Sequence, residues 1–173
     1  GERRQFGWLV TYMSSKNFVM VRRDDNLSSA KQFENDPRLR WGAVRSYKHG
    51  PQTDAFLDRL RAQQRVAEEP DLLSVYRNFL RGRTDAIFVQ PLVFTKYLAE
   101  FPPGESVRIV DWFSSEEPIR AGLILSRKHF SSEDLKYWRR LIAEMYADGT
   151  LRRLFSAYLP PDQVDYVLNF RPD

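Results

Sequence analysis

Asp85-Ala86-Ile87-Phe88-Val89 is the stretch on which the reading of the fold turns. Four consecutive apolar residues, two of them β-branched, leave no polar face, the pattern of a central strand covered by helices on both sides. Gln90-Pro91 ends it, and Leu92 to Phe101 resumes helical spacing. Upstream, Arg40-Trp41-Gly42-Ala43-Val44-Arg45 reads as a second strand running into a polar turn, Ser46-Tyr47-Lys48-His49-Gly50, with Pro51 at a first helical position. Between the two strands, Phe56, Leu57 and Leu60, extended to Val66, give one helical stripe. Asp71 opens a second helix, with Leu72, Val75, Tyr76, Phe79 and Leu80 inward, closed by Arg81-Gly82-Arg83.

Farther out, Phe18-Val19-Met20-Val21 is a short buried strand that ends in a charged turn, and Ser28-Ser29 cap a helix through Phe33. Beyond Pro102-Pro103-Gly104, Val107 to Trp112 and Ala121 to Ser126 are strand-like. Ser131 or Ser132 with Glu133 resembles a helix start, Leu135, Trp138, Leu141, Ile142 and Met145 form a stripe, and Asp148-Gly149 stops it before a helix capped by Thr150. Strands alternating with helices define an α/β protein with a mostly parallel sheet flanked by helices.

Composition narrows the function classes. The 173 residues are 42% hydrophobic and 29% charged, which excludes a disordered chain and fits one domain or two small lobes. There is no cysteine, so thiol catalysis, zinc-cysteine sites and disulfides are excluded. The 27 basic and 23 acidic residues intermingle and form no basic stripe, so nucleic acid is not an expected partner. His49 and His129 have no metal-ligand spacing, and no phosphate-binding glycine motif occurs. Glu68-Glu69 and Glu116-Glu117 are adjacent pairs that diverge or face solvent rather than form an acid/base couple. No catalytic residue, metal or cofactor is expected, and the chain reads as no enzyme.

Five segments, in order, resemble the extracytoplasmic solute-binding proteins of the polar amino-acid uptake type, with the type II periplasmic binding fold. They are Gly1-Glu2-Arg3-Arg4 with Val10-Thr11, Phe18 to Asp25, Trp41-Gly42-Ala43-Val44 through Gly50, Arg83-Thr84-Asp85-Ala86-Ile87-Phe88, and Ala147-Asp148-Gly149-Thr150-Leu151. The resemblance implies one complete lobe, residues 17–117, and the closing part of a first lobe, residues 1–16 and 118–173, without that lobe's opening half. It implies a small-molecule ligand, a membrane permease of an ABC-type uptake system as partner, and a periplasmic or extracytoplasmic location. A ligand-sensing or regulatory module of a larger receptor or enzyme is the other reading of the same fold. Trp8, Leu123, Leu125 and the Trp138 stripe are expected to be exposed, which would promote a homodimer or swapped dimer.

The resemblance also marks the site. Arg4 matches the arginine that grips a ligand carboxylate, a task for a planar fork of donors, although a solvated terminal charge is the other reading. Ser46, Tyr47 and Lys48 stand where the family has a Gly-Thr-Thr-like turn, between a strand end and a helix N-terminus suited to anions. Gln90 stands where amino-acid binders carry an aspartate for the ligand's ammonium, or else only ends its strand. Trp8, Tyr12 and Tyr47 would wall the ligand body. The ligand expected is small, polar and carboxylate-bearing.

Overall fold

The computed structural model describes residues 3–90, 92–93 and 107–172, with side chains from Gln5 onward. The helix read at Leu92 to Phe101 lies, beyond its first two residues, outside the described residues. The chain divides into two units, one of residues 16–117 and one of residues 1–15 with 118–173.

In the 16–117 unit, β2 (Phe18–Arg22), β3 (Trp41–Val44), β4 (Val66–Glu69), β5 (Ala86–Val89) and β6 (Val107–Val110) form one sheet in the order β4-β3-β5-β2-β6. Strand β3 runs parallel to β4 and β5, as the two sequence runs suggest, whereas β2 is antiparallel to β5 and β6, so the sheet is mixed. The two-residue period of the strands sorts the core into two layers. Val19, Val21, Ala86 and Phe88 pack with Trp41, Phe33, Phe56, Leu57 and Leu60 on one face. Met20, Ile87 and Val89 pack with Val75, Tyr76 and Phe79 on the other. The first layer is aromatic: the Trp41 ring meets Phe33, Phe56 and Phe88 at centroid distances of 5.2, 4.9 and 4.6 Å.

The helices covering these faces start where their caps allow. Ser29 accepts from Gln32 N at the head of α2 (Ala30–Asn35), Pro51 opens α3 (Pro51–Ala62), and Asp71 accepts from Ser74 N at α4 (Leu72–Leu80). Val66 is not part of the α3 stripe: the helix stops at Ala62, Gln64 takes the left-handed region at φ 57°, and Val66 begins β4. Buried Arg65 sits in this turn and donates to the carbonyls of Phe33, Glu34, Asp36 and Leu39, tying α2 and the chain after it to the start of β4.

The other unit pairs β1 (Gly7–Ser15) antiparallel with β7 (Ile119–Ser126). A short helix α1 (Arg3–Phe6) precedes β1, and α5 (Ser132–Ala147), α6 (Thr150–Ser156) and α7 (Pro161–Val167) follow β7. Ser131 and Asp134 close a reciprocal capping box on α5. Gly149, left-handed at φ 77°, leads into α6, with Thr150 as its first residue rather than its cap. Neither strand β1 nor helix α7 is among the elements that the sequence pattern predicts. Val10, Leu125, Leu135, Ile142, Leu151, Val164 and Val167 form the core. Leu125 is therefore buried by its own chain, contrary to expectation, and Trp8 and Trp138 pack against the same core, while Leu123 and Ile124 are exposed.

Candidate binding site

The direction of the strands gathers polar residues at one edge of the 16–117 sheet. The C-terminal ends of β3, β5 and β6 and the N-terminal end of the antiparallel β2 all fall there. They deliver the turn after Val44, Gln90, the segment from Asp111, and Asn17. This is the edge of an α/β sheet outside which ligands collect.

Asn17 organises the edge. Buried at 3% exposure, it donates from Nδ2 to the His49 carbonyl at 2.7 Å, which sets the direction of its amide. Its Oδ1 then accepts from Gln90 Nε2 at 3.3 Å and faces His49 Nδ1 at 3.4 Å, which suits a neutral ring with the proton on Nδ1. The His49 ring, from a residue only 6% exposed, lies between Tyr47 and Phe88, with centroids 5.1 and 4.7 Å away. Burial pushes its pKa from the ordinary 6.5 down to about 4; Asp54 opposes this, while Arg61 and Lys48 reinforce it. His49 is thus uncharged at neutral pH.

The charged groups of this edge are held internally. Lys16 Nζ lies 2.6 Å from Asp111 Oδ2, and Lys48 Nζ lies 3.7 Å from Asp54 Oδ2, whose Oδ1 accepts from His49 N. Buried Glu116 accepts from the backbone N–H groups of Gln52 and Thr53 at 2.8 and 3.4 Å, placing its carboxylate on the N-terminus of α3. Gly50 makes room for it: it sits at φ 152°, and a Cβ there would collide with Glu116 Oε1. The two helix amides that could have served a bound anion are therefore taken by the protein's own carboxylate.

The residues singled out by sequence fall as follows. Tyr47 and Gln90 line one recess together with Asn17, His49, Leu72, Tyr76, Phe88, Val89 and Val93. Ser46, exposed and left-handed at φ 59°, and exposed Lys48 belong to the same turn but do not line it. Trp8 and Tyr12 belong to the other unit, where both pack against its core and the Arg127 guanidinium lies 4.8 Å above the Trp8 ring. The backbone of Arg4 is in α1, and its side chain lies outside the description. Sequence reasoning missed Asn17 and Glu116. Among the described residues no cluster of three or more His, Asp or Glu could hold a metal ion, and no helix is long and apolar enough to cross a membrane.

No protein-family model matches the chain, and no curated protein matches it in sequence. Solved structures do. The L-cystine solute receptor of Neisseria gonorrhoeae is 20% identical with a TM-score of 0.64, over 91% of this chain and 62% of that one. An ancestral cationic amino acid solute-binding protein is 17% identical with a TM-score of 0.67, over 92% of this chain and 65% of that one. The arginine-, lysine-, histidine-binding protein ArtJ from Geobacillus stearothermophilus is 14% identical with a TM-score of 0.66, over 95% and 69% respectively. The chain spans less than two thirds of the length of the first two. Nearly all of it superposes on such proteins, and its architecture is therefore that of the type II periplasmic binding fold found in amino-acid solute receptors.

Proposed function

We propose that the chain is the binding part of a non-catalytic, extracytoplasmic or periplasmic solute receptor that delivers a small polar, carboxylate-bearing solute to the membrane permease of an ABC-type uptake system. The observation that carries this reading is the recess at the strand ends, where Gln90 and Tyr47 meet the Asn17 and His49 pair. Residues 17–117 would be the second lobe, and residues 1–16 with 118–173 the closing part of the first. In this reading Arg4 is the group for the ligand carboxylate, through a bidentate pair, Ser46, Tyr47, Lys48 and Gln90 are the groups that residues 17–117 offer to the rest of the ligand, and Trp8 and Tyr12 are the apolar surface offered by the other part. The solved structures with this fold carry names of amino-acid binders, which supports solute binding over turnover.

Calorimetry on the 173-residue chain, comparing amino acids with their matched 2-hydroxy and 2-oxo acids, tests the reading. With Gln90 in place of a carboxylate, the deaminated acids should bind about tenfold more tightly, and Gln90→Asp should reverse the order. Absence of heat from every member of both series, with Arg4→Ala indistinguishable from the parent, would overturn it.

A further inference from the structure

The recess beside Gln90 encloses about 30 Å³, room for about two water-sized groups, so it takes the tip of a ligand rather than its body. None of its described lining residues is an aspartate, glutamate, lysine or arginine. Among the described residues, charged groups of the same sheet edge have partners of their own: Lys16 pairs with Asp111, exposed Lys48 lies 3.7 Å from Asp54, and Glu116 accepts from the α3 amides. Gln90 has one amide N–H committed to Asn17 Oδ1, and no partner for its carbonyl oxygen appears among the described residues. An acceptor oxygen and a second N–H of the same amide thus remain for a ligand, with no charged residue among the described lining.

We propose that this recess selects an uncharged ligand group that both donates and accepts a hydrogen bond, a hydroxyl or a carboxamide, with Asn17 as the residue that orients Gln90 for it. A carboxylate could accept from the Gln90 N–H but would set its second oxygen against Oε1. An ammonium could donate to Oε1 but would enter without a counter-charge. The hydroxyl or carboxamide satisfies both atoms of the Gln90 amide and brings no charge to desolvate. This rests on the solute-binding reading and names the ligand chemistry of its second-lobe side.

Three probes with one body and different ends decide it: pentanamide, pentanoate and pentylammonium, titrated into the 15N-labelled 173-residue chain while the side-chain amide resonances of Gln90 and Asn17 are followed. Pentanamide should half-saturate those shifts at about tenfold lower concentration than either charged probe. In Gln90→Glu, pentylammonium should become the preferred probe, and Asn17→Leu should abolish the preference while the chain stays folded by its amide spectrum. A charged probe matching pentanamide at Gln90 overturns the proposal, as does failure of all three to move these resonances. The calorimetry above fails or succeeds independently of this series, so loss of the solute-binding reading would be recognised by silent calorimetry alongside an intact pentanamide preference.

Discussion

Acidification from pH 7 to 4 acts directly on His49. Its ring is enclosed by Tyr47 and Phe88, and its pKa is held at about 4 in the folded chain against 6.5 in the unfolded one. Between those two values the unfolded chain binds the proton and the folded chain does not, so stability falls as pH drops. The contribution is intact above pH 6.5, declines through the window from 6.5 to about 4, and is exhausted below it. At about 1.4 kcal/mol per tenfold in proton affinity, the full window is worth about 3 kcal/mol. Two measurements check this. An NMR titration of the His49 ring should give a midpoint near 4, and urea unfolding at pH 7 and pH 4 should show the parent losing about 3 kcal/mol more than His49→Gln, whose amide does not titrate. A ring that titrates near 6.5, or parallel losses in parent and variant, would refute the argument.

Glu116→Gln keeps an oxygen for the Gln52 and Thr53 amides but removes the negative charge from the head of α3, and should cost about 1 kcal/mol in urea unfolding; Glu116→Ala, which strands those amides, should cost about 2 to 3 kcal/mol. Equal stability of parent and alanine variant would show that the carboxylate does not anchor the helix. Arg65→Ala should lower stability by about 3 kcal/mol or more, because four carbonyls lose a charged donor. Arg65→Lys should recover only part of this, since an ammonium cannot reproduce the guanidinium fork; full recovery would contradict that geometry.

The parallel core was legible because its strands carry their own evidence. Ala86 to Val89 is apolar on both faces, and Pro51 and Asp71 mark helix starts by local chemistry that tertiary context does not override. Strand β1 was not legible because Gly-Trp-Leu-Val-Thr-Tyr-Met-Ser-Ser mixes polar with apolar residues, and the register shift between Thr11 and Met13 breaks the alternation that would betray it. Val66 fits the stripe of the preceding helix as well as a strand because so short a run fits either period; the left-handed turn at Gln64 separates the two elements.

At the site, Gln90 was visible because a strand end before proline is a local signal. Asn17 was not, because its place at the edge depends on β2 running antiparallel to β5, which no residue of β2 announces. Glu116 looked like half of a solvated pair; only the fold shows that it turns inward to α3 while Glu117 stays outside.

The division of the chain also bears on how it reaches this state. Residues 16–117 are continuous, so their sheet can assemble from contacts within one stretch. Strands β1 and β7 lie on opposite sides of that stretch and must find each other across it. As a flexible loop, so long a separation would carry a large closure entropy. In the folded unit β2 and β6 are neighbouring strands, Lys16 pairs with Asp111, and just beyond the unit Ser15 and Ile119 are register partners. The pairing of β1 with β7 is thus far apart in sequence yet closes directly on the two ends of the inserted unit, a topology in which the host's one sheet contact carries the largest sequence separation of the fold's strand pairs.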